Sequence, residues 1–348
     1  MKRHYFKIFG SAGTRALRVA TLAAATSLVA ATAHAQPTVL RFATGVPDTS
    51  PIVTEVLEPW AEMMNEEGGE HFQIEVINGV AIANPSNMWE RVEQGIVDIG
   101  WSLHGSSGLP FPKTAVASLP FLYQDIVAAS SALWRLYESD LISDEYEGVH
   151  VLALTSLPIQ GISASTPVNT LSDMEGLKVR AVDKVAADTV LALGGAPISI
   201  PTQEVYQSLD RGVVDAAVVN WLMVGGFRVG EVAPNHQRGI SLGGVPGFLV
   251  MNQSVYEGLS PEAQQALDSA AGGTSSEFLG EHYEQLAADI EQTISNAEGQ
   301  QVLTLSSEER AQWESRLQSV VDSWVADTPD GEQILEQFRA ELNNASNQ

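Results

Sequence analysis

Few residues of this chain are arranged to do catalytic chemistry. The seven histidines are scattered, none stands four positions from another with an intervening Glu, and there is no cysteine. The ligand sets that zinc needs are therefore absent from the pattern. Gly105-Ser106-Ser107-Gly108 lacks the flanking glycines of a nucleophile elbow and reads as a loop. No acidic cluster stands where strands should end, so neither metal nor cofactor is expected, and no enzyme activity. What remains is polar and aromatic side chains at expected strand ends: Trp101, Ser102 and His104 after Val97-Asp98-Ile99-Gly100, and Asn220 and Trp221 after Asp215. Ligands of α/β proteins bind at the carboxyl ends of strands, so these positions can contact a solute. For a lone His or aromatic, core packing is the commoner role.

These candidates are positioned by a pattern that occurs twice, 117 positions apart. Glu90-Arg91-Val92-Glu93-Gln94-Gly95-Ile96-Val97-Asp98 is matched by Gln207-Ser208-Leu209-Asp210-Arg211-Gly212-Val213-Val214-Asp215. Each copy reads as a short polar helix closed by Gly, followed by a β-branched apolar run too short to extend it. Two lobes of one plan facing a shared ligand follow from the repeat, although Gly-Val-Val-Asp alone is a common helix-to-strand join.

Residues 1–35 read as an export signal. Lys2, Arg3, Lys7, Arg15 and Arg18 precede the apolar, small-residue run Val19 to Thr32, and Ala33-His34-Ala35 is a small-x-small cleavage site. The run is too short to span a membrane, so no direct membrane insertion is expected and the mature chain is predicted to be periplasmic. Cleavage would remove five basic residues and no acidic ones, taking the formal charge from −25 to −30. That balance excludes nucleic acid as a partner, because such binding needs Lys and Arg to replace counterions. It also means that an anionic ligand must be drawn in by a local, recessed Arg.

About 313 residues then remain, enough for two lobes. Strands are expected at Val39–Thr44, Phe72–Ile77, Val97–Trp101, Val151–Thr155, Val214–Val219 and Ile240–Leu242, alternating with helices in an α/β pattern. Asn84 with Pro85 reads as a helix start. From Ser260-Pro261 onward the chain reads as helical, weakened at Gly272-Gly273. Ser306 and Glu309 form a capping-box pattern ahead of Trp313, Leu317, Val320, Val321 and Trp324.

The segments Leu171-Ser172-Asp173-Met174-Glu175-Gly176-Leu177-Lys178-Val179-Arg180, Leu193-Gly194-Gly195-Ala196-Pro197, Glu204-Val205-Tyr206-Gln207-Ser208-Leu209 and Gly212-Val213-Val214-Asp215 resemble the central motifs of the periplasmic solute-binding proteins of TRAP transporters, the DctP-like family. The likeness continues through Val250-Met251-Asn252 and Leu259-Ser260-Pro261-Glu262 to Trp324. It implies a two-lobed periplasmic binding protein fold with crossing strands, a long spine helix and C-terminal helices. The lobes would be 36–157 with part of 248–295, and 158–247. A connecting helix is expected at 258–297, and C-terminal helices at 305–348.

The resemblance also implies a function: capture of a small-molecule carboxylate between the lobes and delivery to TRAP-type membrane permease subunits. Arg180 would then pair bidentately with the carboxylate, a task for which the fixed guanidinium fork suits. On the residues alone, a solvated Arg ending a strand would be the simpler reading. Asn220 and Trp221 would join from the second lobe, although Ala216 replaces the usual Gly and Val219 stands where the family's Asn is frequent. Gln160, ahead of Gly161, lies where the family brings a polar group into the cleft. Trp101, Trp221 and Phe248 together would suit a solute with an apolar or aromatic tail. A periplasmic sensory module for a signalling receptor would need the same cleft, and the neighbouring genes would separate it from transport.

Overall fold

The computed structural model describes residues 37–345; the export signal expected at 1–35 lies outside them. Among the described residues, eleven strands form two sheets. The first contains β1 (Thr38–Ala43), β2 (Phe72–Ile77), β3 (Ile99–Leu103), β4 (Val149–Leu157) and β10 (Val245–Asn252), in the order β2-β1-β3-β10-β4. The second contains β5 (Gly161–Ala164), β6 (Lys178–Ala181), β7 (Ala196–Ser199), β8 (Ala216–Val219), β9 (Asn235–Arg238) and β11 (Gln301–Thr304), in the order β11-β9-β5-β8-β6-β7. β1, β2 and β3 run parallel, as do β6, β7 and β8, while β10 and β5 pair antiparallel to their neighbours.

The chain crosses between the sheets twice. β4 passes into β5 through 158–160, and β9 passes into β10 through 239–244. The two crossings are bonded to each other: Gln160 N donates to Gly243 O at 2.8 Å and Leu242 N to Gln160 O at 3.0 Å. A third connection is the spine helix Gly273–Ser295, which packs on β4 and helix Ile126–Glu138 beside the first sheet and on helix Trp221–Gly226 beside the second. This is a two-lobed α/β fold with crossing strands.

The repeat holds in three dimensions. Gly95 and Gly212 take φ of 65° and 67°, where a side chain would be strained. Asp98 N donates to Arg41 O and Asp215 N to Lys178 O, on the neighbouring strands β1 and β6. The carboxylates return the contact, accepting from Arg41 N and Lys178 N, and the same two cations bond the carbonyls of Gly95 and Gly212. Each Asp thus pins the start of its strand to the neighbouring parallel strand.

Several local expectations change. The helix expected at Asn84 begins instead at Met88, because the Asn84 side chain is used by Ser86 in a turn. Ile240–Leu242 is not a strand. Its burial comes from lying in the second crossing, where it joins Gln160 rather than a sheet. The connecting helix is two helices, Pro261–Ala270 and Gly273–Ser295, broken at Gly272. There φ is +68° and a Cβ would stand 2.6 Å from the Trp134 ring. Ser306 caps Glu309 N at 3.2 Å, but the Glu309 carboxylate does not complete the box. It accepts from Leu171 N at 3.0 Å and so ties the C-terminal helix Ser307–Asp327 to the second lobe. That helix also reaches the first lobe, where Trp324 Nε1 donates to Pro112 O at 2.9 Å.

Candidate functional site

Arg180 sits on β6 with 0% of its surface exposed. Nε donates to Ile200 O at 3.1 Å, Nη1 to Val218 O at 3.3 Å, and Nη2 to Thr202 Oγ1 at 2.9 Å. Met223 Sδ lies 3.9 Å from Nη1, a weak contact. Every one of these partners is neutral. Burial pulls the guanidinium down from 12.5 to about 10, and Asp183 opposes this only through space. A cation fixed in the interior by neutral oxygens is an electrostatic arrangement that favours an anion beside it.

Asp183 itself caps the helix Lys184–Ala192, accepting from Ala186 N at 2.8 Å. Burial raises its pKa, and the helix amides and Arg180 counter this. Its carboxylate oxygen lies 3.8 Å from where a Cβ on Gly105 would stand. Gly105 follows β3, so the strand ends of the two lobes meet at this point.

Gln160 is 3% exposed, and no hydrogen bond joins its side-chain amide to the described residues. Its position follows from register. Gly161 pairs with Val219 and Arg180 with Ala217, so Gln160 and Arg180 flank the carboxyl end of β8 from its two neighbouring strands.

The other expected contacts are placed differently. Asn220 is the N-cap of helix Trp221–Gly226, accepting from Met223 N at 3.0 Å, and its Nδ2 donates to Pro158 O at 3.3 Å. Its amide thus joins the helix start to the first crossing. Trp221 turns toward His236, with ring centroids 5.4 Å apart, and lines a cavity of about 240 Å³ with Pro158, Ile159, Ile240 and Glu284. Glu284 belongs to the spine helix, and Arg180 and Gln160 are absent from the lining, so this cavity lies behind the crossings.

Trp101, Ser102 and Phe248 are core residues of the first lobe. Trp101 lies beside Tyr283 of the spine helix, Ser102 Oγ donates to Pro85 O at 2.9 Å, and Phe248 is wholly buried edge-on to Trp89 at 5.4 Å. Alternation along β3 explains the split: Gly100 and Ser102 face helix Met88–Glu93, while Trp101 faces the opposite side. His104 joins the aromatic group of Phe111, Tyr146 and Phe248, with Nε2 2.6 Å from Tyr146 Oη. Burial lowers its pKa to about 4 and keeps it neutral.

Two contacts of Arg180, Thr202 and Met223, carry no signal in the sequence. Thr202 falls in a short turn after β7 and Met223 in a six-residue helix, and neither type signals contact with an Arg 22 or 43 positions earlier.

The profile described as bacterial extracellular solute-binding protein, family 7, matches residues 42–328. The ectoine-binding periplasmic protein of Halomonas elongata is 26% identical over 80% of this chain and 82% of its own. The 2,3-diketo-L-gulonate-binding periplasmic protein of Escherichia coli K12 is 29% identical over 79% and 83%. Among solved structures, a TRAP solute-binding protein from Rhodoferax ferrireducens in complex with copurified benzoate superposes with a TM-score of 0.82 at 25% identity, covering 89% of this chain and 98% of that one. A TRAP periplasmic protein from Bordetella bronchiseptica with bound mandelate gives 0.80 at 25% identity, covering 89% and 100%. No helix of the described residues is long and apolar enough to cross a membrane. A profile match over most of the chain, joined to the two-lobed fold with crossing strands that its structural relatives share, identifies it as a member of the family-7 extracellular solute-binding proteins, a periplasmic receptor that serves a TRAP transporter rather than an enzyme.

Proposed function

We propose that the solute is a small organic carboxylate, anchored by Arg180 and touched by Gln160, which the protein carries to its TRAP permease. The observation that carries this reading is the buried guanidinium with no carboxylate among its hydrogen-bond partners. A guanidinium has five N–H donors. Three go to Ile200 O, Val218 O and Thr202 Oγ1, and a fourth makes only a weak contact with Met223 Sδ. One donor is unmade and one is weakly held, together the number that a bidentate carboxylate accepts, and a charge-assisted pair is stronger than a neutral one. The Gln160 amide offers a donor and an acceptor to whatever else the solute bears near its acid group. The benzoate and mandelate held by the two structural relatives are acids of this size, which supports the reading. An apolar tail finds less support in this chain's own residues, since Trp101 and Phe248 are buried in the first lobe and Trp221 lines the cavity behind the crossings.

The test is a calorimetric screen of monocarboxylates and their amides. Acids should bind and the matching amides should not, because a neutral amide offers the fork only one acceptor oxygen and no charge. Equal binding of acid and amide would remove the carboxylate from the account.

A further inference from the structure

We propose that Met223 is the gate over Arg180, the side chain that a solute displaces to reach the fork and whose bulk sets the width of solute admitted next to the carboxylate. The inference rests on the carboxylate reading above. Arg180 is fully enclosed, so something must move before a solute oxygen can approach it. Four acceptors meet its nitrogens, and they differ in mobility. Ile200 O and Val218 O are main-chain carbonyls next to β7 and on β8, fixed by the sheet. Thr202 Oγ1 makes the shortest of the bonds, 2.9 Å, from a short side chain in a 3₁₀ turn.

Met223 is different. Its sulfur makes only a weak contact at 3.9 Å, and the residue is half-buried, so one side of it meets solvent while the other covers the cation. An unbranched thioether has three rotatable bonds and reorients at little cost. It stands on the first turn of helix Trp221–Gly226, which Asn220 fixes both to the Met223 amide and to Pro158 of the first crossing. The backbone beneath the gate is therefore held while the side chain is free to swing. A soft sulfur also leaves the Nη1 proton weakly bonded, so replacing it by a carboxylate oxygen is favourable.

The experiment measures affinities and association rates of acetate, benzoate and 2-naphthoate for the wild type, Met223→Ala, Met223→Leu and Arg180→Met. Removing the thioether should shift the naphthoate-to-acetate affinity ratio toward the wider acid by about tenfold or more, since pocket shape discriminates on that scale. Association should also quicken about threefold to tenfold, because no side chain has to leave first. Met223→Leu keeps the volume but is branched and has one rotatable bond fewer, and should slow association without changing the ratio. It serves as the test should Met223→Ala fail to fold. An unchanged ratio and rate in the Met223 variants, with binding abolished in Arg180→Met, overturns the gate and leaves the carboxylate reading standing. Binding retained in Arg180→Met overturns the reading beneath it.

Discussion

Replacing Arg180 by Met should separate binding from folding. Burial moves the guanidinium from 12.5 to about 10, which corresponds to about 3 kcal/mol of penalty on the charged form in the ligand-free protein. Methionine removes that penalty while filling similar space. Against it, Ile200 O, Val218 O and Thr202 Oγ1 each lose a hydrogen bond, worth about 1 kcal/mol apiece. Thr202 is half-buried and its hydroxyl can turn toward water, which softens one of the three losses. The two sides cancel to within about 2 kcal/mol, so the ligand-free melting temperature should move by no more than about 5 °C. Binding has no such compensation. Two charge-assisted hydrogen bonds at roughly 1.5 to 3 kcal/mol each predict an affinity loss on the order of a hundredfold to ten-thousandfold. Scanning calorimetry without solute and titration calorimetry with it give both numbers. A variant that melts more than about 10 °C lower, or that keeps wild-type affinity, would show Arg180 to be a structural residue.

Asn220→Ala should cost about 1 kcal/mol of stability from the lost helix cap, with a smaller effect on affinity, because both ends of the amide serve the fold; melting and titration check this. Gly243→Ala should be far more damaging, by about 3 to 5 kcal/mol in denaturant unfolding, since φ is +89° and the new Cβ would stand 1.9 Å from Ser118 O in the second crossing. His104 fixes a pH window. Its folded pKa of about 4 lies below the ordinary 6.5, so the unfolded chain takes up the proton first. Its contribution is complete above about pH 6.5 and is lost as pH falls toward 4, by about 3 kcal/mol in total. His104→Gln should flatten denaturation midpoints measured across that window; an unchanged slope would mean that other groups set it.

How much of this was legible in the sequence varied with the range of the interaction. The repeated αβ unit was readable because helix, left-handed Gly and following strand are local, and Gly95 and Gly212 behave alike for that reason. The ion pairs that pin Asp98 and Asp215 to Arg41 and Lys178 come from strands far apart in sequence and left no local mark. The short strands β5, β7, β9 and β11 were missed because four residues, some of them polar, carry no usable period. Ile240–Leu242 misled for the opposite reason: it is apolar because it is buried, and its burial is that of a crossing segment. At the site, a strand end is visible in the sequence but the face of each side chain is not. Trp101 and Ser102 therefore went to opposite sides of β3, and Phe248 into the aromatic core. Arg180 stands out in the sequence only by family likeness, since nothing in Lys178-Val179-Arg180 by itself tells an enclosed cation from a solvated one.

The most direct measurement is mass spectrometry of the small molecule that purified protein releases on denaturation, run in parallel on wild type and Arg180→Met. An organic acid recovered from the wild type, in stoichiometric amount, and missing from the variant is the predicted result. Recovery of a neutral or cationic molecule, or of the same acid in equal amount from both proteins, would contradict a carboxylate held by Arg180.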